Sequence, residues 1–394
     1  MSPDAMTEIY IIDALRTPIG RKGGSLAQVR ADHLAAHLLQ QLAARNALNP
    51  AQVDDIVLGN VTQVGEQSAN IARTAVLSAG WPEEIPGLTI DRKCGSGEAA
   101  VHVAAGLIAA GTCEVVLAGG AEAMSRVPIG GNRDVHGKAY GHKVLERFEQ
   151  IPQGEAAERI AEQWGVPAEA MREFAAESHR RAAAAAQAGW FQREIAPIDV
   201  AQWCEPGSDA TGLFAADETI RPGTSAEKLA TLKPSFRPDG RLNAGLSSQI
   251  SDGASVLLLA SAAAVKRHGW KPRARLRAMT TVGSDATLML SGPMAATRRL
   301  LERAAMTTRD IDLFEVNEAF ASVPMAWMKE LGVEHDRLNV NGGAIALGHP
   351  LGATGARIMT SLLHELERRQ ARFGLQAICC GGGMATATLI ERLD

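Results

Sequence analysis

The stretch Cys94-Gly95-Ser96-Gly97-Glu98-Ala99-Ala100-Val101-His102-Val103-Ala104-Ala105 sets a thiol just ahead of a run that should be helical. Gly95, Ser96 and Gly97 let the backbone turn tightly and leave free N–H groups at the helix start. A thiol there faces the positive end of the helix dipole, which predicts a lowered pKa. A lone cysteine is more often a small buried hydrophobe; the surrounding glycines favour the reactive reading. A second glycine-punctuated helix start, His349-Pro350-Leu351-Gly352-Ala353-Thr354-Gly355, lies in the C-terminal third. A strand precedes each at a similar distance: Val53 to Gly59 ahead of Cys94, and Asp310 to Phe314, which follows a helix ending near Thr307, ahead of His349. An apolar strand running into glycines follows each, at Val115 to Gly120 and at Cys379-Cys380-Gly381-Gly382-Gly383. Three matches in the same order imply a duplicated α/β unit. Two such halves packed together would bring their equivalent helix starts, and with them Cys94 and His349, close in space.

Working outward, Ile9 to Ile12 reads as a buried strand and His33 to Leu48 has helical spacing. Residues 121–247 differ in composition, with Gly, Pro, Arg and Asp clusters around helical stretches such as Ala168 to Ala188. They read as an inserted segment, after which Ala254 to Ala264 returns to core-like residues. The expected organisation is one half from 1–120 and 248–270, the insertion 121–247, and a second half from 271–394.

The chain has 394 residues, 46% hydrophobic and 21% charged, which is material for two or three packed units. A net charge of −4 gives no basic footprint for nucleic acid. Five cysteines, an odd number in a chain this long, argue against a disulfide scaffold and for a reducing compartment. No stretch approaches a membrane span, and Met1 to Thr7 lacks the order of a signal peptide, so the cytoplasm is the expected location.

His349 sits between Gly348 and Pro350, which fix its backbone as an acid–base group would require; many loop histidines only hydrogen-bond. Cys379 and Cys380 close an apolar strand, and no second cysteine pair accompanies them for a structural zinc site. The three glycines after them imply close approach of backbone to a ligand. Asn317-Glu318-Ala319-Phe320 follows the strand of the second half, either as helix caps or as groups that hold a water or polarise a substrate oxygen.

Four segments together resemble the thiolase family: Cys-Gly-Ser-Gly at 94–97, Asn-Glu-Ala-Phe at 317–320, Asn-Gly-Gly-Ala-Ile-Ala-Leu-Gly-His-Pro at 341–350, and Cys-x-Gly-Gly-Gly at 379–383. The likeness runs from about Ile9 to Leu393 in order and spacing. It implies a five-layered αβαβα fold of two similar halves with an inserted loop domain that binds coenzyme A, assembled as a homodimer or a dimer of dimers. It implies that Cys94 is acylated by the thioester and that His349 takes its proton. Cys379 would move the proton on the α-carbon. Asn317, through a water and with His349, would form one oxyanion hole, and the N–H groups of Cys94 and Gly381 the other. Coenzyme A and acyl-CoA enter as substrates, with no metal and no permanent cofactor. For coenzyme A the resemblance points to Arg221, Phe236 and Ser248. Arg221 and Phe236 read equally well as ordinary loop residues. Phe320 joins this substrate-facing set. A non-catalytic acyl-CoA-binding relative would be expected to lose one of the two cysteines or the histidine, and all three are present. Ketoacyl synthases resemble a Cys-His-His pattern instead.

Short-chain members share a Met-Gly-x-Thr-Ala-Glu segment along the acyl pocket, where this chain reads Gln153-Gly154-Glu155-Ala156-Ala157-Glu158. A polar Gln153 argues against a pocket closed around a short acyl chain and favours degradative 3-ketoacyl-CoA cleavage. Condensation of two acetyl-CoA units is the alternative. Glu98, at a position usually apolar, has no account from sequence.

Overall fold

The structure, a computed structural model, describes residues 8–393; Met1 to Thr7, on which the signal-peptide expectation rests, lie outside the described residues. The first half contributes β1 (Ile9–Arg16), α1 (Ala31–Arg45), β2 (Asp55–Gly59), α2 (Ile71–Ser78), β3 (Gly87–Ile90), α3 (Ser96–Ala109) and β4 (Val115–Ala123). The following segment carries α4 (Gln153–Gln163) and α5 (Ala168–Gln187), and β5 (Ser251–Ser261) returns to the sheet. The second half has β6 (Ala274–Gly283), α6 (Gly292–Ala304), β7 (Leu313–Val316), α7 (Ser322–Leu331), α8 (Thr354–Arg369), β8 (Phe373–Cys380) and β9 (Met384–Arg392).

These strands run in the order β7-β8-β9-β6-β1-β5-β4-β2-β3. Read outward from the β6–β1 junction, both directions repeat one pattern. In the first half β1 pairs antiparallel with β5, β5 antiparallel with β4, then β4 with β2 and β2 with β3 in parallel. In the second, β6–β9 and β9–β8 are antiparallel and β8–β7 parallel, and a parallel bridge from Phe314 to Leu338 stands where β3 would be. The equivalent strands β1 and β6 meet antiparallel over Tyr10–Arg275 and Ile11–Ala274, as a two-fold relation requires. The duplication expected from the glycine motifs is therefore present in the strand pairing.

The strand residues alternate between two cores because side chains on a pleated strand point to opposite faces. On β4, Val115 and Leu117 pack with α1 and α2, while Val116 and Ala118 face α3 and α8. The C-terminal strands do likewise, with Ala387 and Leu389 toward α6 and α7 and Ile390 toward the central helices. Outer helices, sheet, the α3–α8 layer, sheet and outer helices thus form five layers. Within the 121–247 segment, α4 and α5 lie on the second half's outer core, where Ile160 and Phe174 join Phe314 and Trp327. A buried ion-pair cluster also ties the segment to β1. Arg16 Nε lies 2.6 Å from Glu194, and its two Nη atoms lie 2.7 and 2.9 Å from Asp217. The bidentate geometry offsets the cost of burying these charges.

Candidate active site

The two glycine-rich helix starts interlock. A methyl group added at Gly97 would lie 2.7 Å from the Gly352 carbonyl oxygen, and one at Gly120 2.0 Å from the same oxygen. One at Gly355 would lie 2.2 Å from the Glu98 nitrogen. Only glycine permits such backbone approach. The apolar side chains follow: Leu351, two residues after His349, packs in one cluster with Cys94, Val61, Met124, Ile358 and Ile378. The two halves therefore bring the Cys94 and His349 loops together, as their equivalence requires.

The Cys94 loop is held rigidly. Lys93 adopts a left-handed φ of 52°, and Ser96 Oγ accepts from Arg92 N at 2.8 Å while donating to Lys93 O at 2.6 Å. Cys94 itself is buried, and burial pushes its thiol up to about 11. The N–H groups of Gly381 and of Cys94, both directed at the sulfur, and the Lys93 charge act in the opposite sense. The lowered pKa expected at a helix start is thus overturned: α3 begins at Ser96, and desolvation outweighs the dipole. At neutral pH Cys94 is a thiol, and action as a nucleophile would require a base.

His349 has the geometry of that base. Its Nδ1 lies 2.7 Å from Thr354 Oγ1, whose own proton goes to Pro350 O at 2.8 Å. The hydroxyl can therefore only accept, which places the ring proton on Nδ1 and leaves a lone pair on Nε2. Nε2 is buried and has no partner among the described residues. Burial, with the Arg357 charge as a second cause, lowers the imidazole pKa to about 3, so it rests neutral. Its backbone N–H is anchored by Ser251 Oγ at 2.8 Å and Gln249 O at 3.0 Å.

Cys379, the penultimate residue of β8, is fully buried, and its thiol is raised by burial and then by the neighbouring Cys94 charge. Cys380 faces the other way, against Gly95, where an added methyl would meet its sulfur at 2.6 Å. The turn Gly381 to Gly383 follows, with left-handed φ of 87° at Gly382 and 76° at Gly383. Gln153, the first residue of α4, covers Gly381: a methyl there would lie 3.1 Å from Gln153 Nε2. Asn317 follows β7, anchored by its N–H to Ala377 O at 3.1 Å. Its side-chain Nδ2 and Oδ1 are buried with no partner among the described residues. Buried amides are ordinarily satisfied, so these atoms fit a group that serves a ligand. Glu318, by contrast, is a structural cap, held by Ser178, Asn339 and Ile345 N.

Beside this constellation runs a groove of about 650 Å³ whose walls include Arg221, Phe236 and Ser248, with Arg21 and Lys22 also on its lining. The three residues far apart in sequence are thus brought together. Phe236 meets Phe320 edge-on at 5.4 Å and lies over Gly154, where any side chain would strike its ring. The groove joins the catalytic loops through hydrogen bonds from Ser248 N to Ala319 O and from His349 N to Gln249 O, both 3.0 Å. Among the described residues no cluster of three or more His, Cys, Asp or Glu is placed to hold a metal ion.

Residues 9–263 match the family model of the thiolase N-terminal domain, and residues 270–392 that of the thiolase C-terminal domain. The chain belongs to the thiolase family. It is 45% identical over 398 residues to a steroid 3-ketoacyl-CoA thiolase of Mycobacterium tuberculosis, covering 98% of this chain and 95% of that one. It is likewise 45% identical over 397 residues to a 3-ketoacyl-CoA thiolase of Klebsiella pneumoniae, covering 98% and 100%. Among solved structures, this thiolase resembles an acetyl-CoA acetyltransferase of Bacillus anthracis, with TM-score 0.90 at 41% identity over 99% of this chain and 100% of that one. It also resembles human mitochondrial 3-ketoacyl-CoA thiolase in complex with CoA, with TM-score 0.89 at 35% identity over 99% of each chain.

Sequence reasoning missed residues that orient the candidate site of this thiolase. Thr354 and Ser251 hold His349, and no sequence pattern signalled either. Glu98, unexplained from sequence, accepts hydrogen bonds from Thr386 and Thr388 across the layer, and burial pushes its carboxyl up to about 7.

Proposed function

We propose that this thiolase cleaves 3-ketoacyl-CoA with free coenzyme A, giving acetyl-CoA and a shortened acyl-CoA through an acyl-Cys94 intermediate. The observation that carries the reading is the pair of buried, neighbouring thiols, Cys94 and Cys379, with the Gly381 N–H directed at Cys94 and the lone pair of His349 Nε2 unused. Nε2 removes the Cys94 proton, and the thiolate attacks the 3-keto carbon. The carbon–carbon bond breaks, and the leaving enolate takes a proton from Cys379. Coenzyme A then gives its thiol proton to Cys379, its sulfur attacks the acyl group, and the Cys94 thiolate regains its proton from His349. The cycle closes without a redox or metal step. Asn317 and His349 stabilise one developing oxyanion and the N–H groups of Cys94 and Gly381 the other, each donor being worth about 3 kcal/mol. The raised pKa values of both thiols suit this cycle, since each must hold a proton at rest.

Arg221, Arg21 and Lys22 would face the phosphates of coenzyme A, Phe236 its apolar portion, and Ser248 the pantetheine arm; Phe320 and Gln153 would border the acyl end. The 121–247 segment, inserted within the first half, would thus supply much of the coenzyme A-binding surface. We further propose a homodimer or dimer of dimers in the cytoplasm. All five cysteines are free thiols, which suits a reducing compartment, and no described helix is long and apolar enough to cross a membrane. The likeness to an acetyl-CoA acetyltransferase supports the reverse condensation as a second reading. Thiolysis assays across chain lengths decide. Turnover that rises beyond the four-carbon substrate supports degradation, a preference for acetoacetyl-CoA supports the second reading, and no coenzyme A-dependent turnover overturns both.

A further inference from the structure

A second cavity, of about 490 Å³, opens beside the Cys94 loop and shares no lining residue with the coenzyme A groove. Its size is in the range of small-molecule sites. Its walls are Lys93 and the exposed loop 132–140 that follows β4. Two contacts join it to the candidate site. Lys93 precedes Cys94, and a methyl added at Gly381 would lie 3.8 Å from Lys93 Cγ. Asn132 Nδ2 donates to Val61 O at 3.2 Å, and Val61 packs in one cluster with Cys94. Gln153 Nε2 borders Gly381 as Lys93 does, so the surroundings of that turn are polar on this side.

The lining is cationic. Lys93, Arg133 and Lys138 stand on it against the carboxylate of Asp134, which is committed to Ala139 N at 3.0 Å. Lys93 Nζ holds Asp91 at 2.5 Å, whereas the side chains of Arg133 and Lys138 have no hydrogen bond or ion pair among the described residues. The chain as a whole carries a net charge of −4, so this excess of cations is local. Lys93 also keeps a left-handed φ of 52°, a backbone that favours glycine, and so holds a long cation where a side chain is least favourable. Apolar groups accompany the cations, with Val135 and Tyr140 56% and 38% exposed on the same wall. A chain of methylenes that ends in an anion matches both kinds of surface.

We propose that this cavity receives the distal end of the acyl chain and selects 3-ketoacyl-CoA substrates that end in a carboxylate. The inference rests on the proposed thiolysis at Cys94 and names the substrate class for it. Arg133 offers the carboxylate two parallel N–H donors, and Lys138 a point charge. The contact lies away from the reacting carbons, so it raises kcat/KM through binding and leaves the bond-breaking step as it is.

The test compares thiolysis of two substrates of equal length, 3-ketooctanoyl-CoA and 3-ketosuberyl-CoA, by kcat/KM. The parent enzyme should prefer the carboxylate by about ten-fold, near 1.4 kcal/mol. Salt at about 0.5 M should shrink that preference to about two-fold, since the cations are exposed. Arg133→Gln/Lys138→Gln should abolish the preference, while kcat/KM for 3-ketooctanoyl-CoA stays within about two-fold of the parent. Lys138→Arg keeps the charge and should keep the preference. Lys93→Gln should also lower the preference, read as the ratio alone because the Lys93 charge acts on Cys94 too. Equal kcat/KM for the two substrates, or a preference that survives the double substitution, overturns the inference and leaves thiolysis standing. A higher KM for coenzyme A in the double variant, with the ratio unchanged, would assign the cations to coenzyme A and overturn it as well. Turnover of neither substrate overturns the proposed function and this inference with it.

Discussion

The helix starts at Cys94 and at His349 occupy equivalent places in the two halves and carry different chemistry. Both follow a parallel strand, both interlock through glycine, and both open a helix of the central layer. The first places a thiol where N–H groups converge and lines its helix with small apolar residues such as Ala100, Ala104 and Ala105. The second places a histidine whose tautomer is fixed by its own helix, and continues with buried polar residues from Thr354 to Glu365. The duplicated frame supplies proximity; the divergence of side chains at equivalent places supplies the chemistry. A symmetric pair of thiols or histidines would lack the partner each needs.

The sharpest way to break this pairing is to remove the nucleophile. Cys94→Ala should lower kcat by on the order of 10⁴ or more, about 5 kcal/mol, with the folded protein otherwise intact by circular dichroism. Removing the proposed base alone, by His349→Ala, should lower kcat by on the order of 10³, and the loss should persist at every pH if His349 is the base. Asn317→Ala should lower kcat about 100-fold, near 3 kcal/mol. Its KM should be nearly unchanged, because the amide serves the developing charge; a pure KM effect would place it in binding instead.

The structural side of the comparison has smaller expected effects. Gly120→Ala drives a methyl into the Gly352 carbonyl and should cost about 1–3 kcal/mol, read as a fall in Tm. Gly141, whose added methyl would meet nothing within 4 Å, should tolerate the same change better. Smallest is Gln153→Met, which should shift relative kcat/KM toward four-carbon substrates by about ten-fold. No shift with chain length would remove Gln153 from the acyl pocket.

Much of the frame was legible because glycine has few reasons to recur at fixed places. Gly95, Gly97, Gly352 and Gly355 announced two tight backbone approaches, and the apolar run at 115–120 announced a strand buried on both faces. The strands β6 and β9 were not legible, since Arg275, Arg277 and the threonines of β9 blur any alternation. The state of Cys94 was hidden for another reason: the helix start is local, whereas the desolvation that wins comes from Val61, Ile358 and Ile378. Glu98 was opaque because Thr386 and Thr388, which satisfy it, stand almost at the other end of the chain.

One measurement tests the central claim most directly. Incubating the enzyme with a 3-ketoacyl-CoA in the absence of free coenzyme A should leave one acyl group per chain, mapped by peptide mass spectrometry to Cys94, with acetyl-CoA released. An acyl group on Cys379 or Cys380, or release of acetyl-CoA with no adduct at Cys94, would contradict the account.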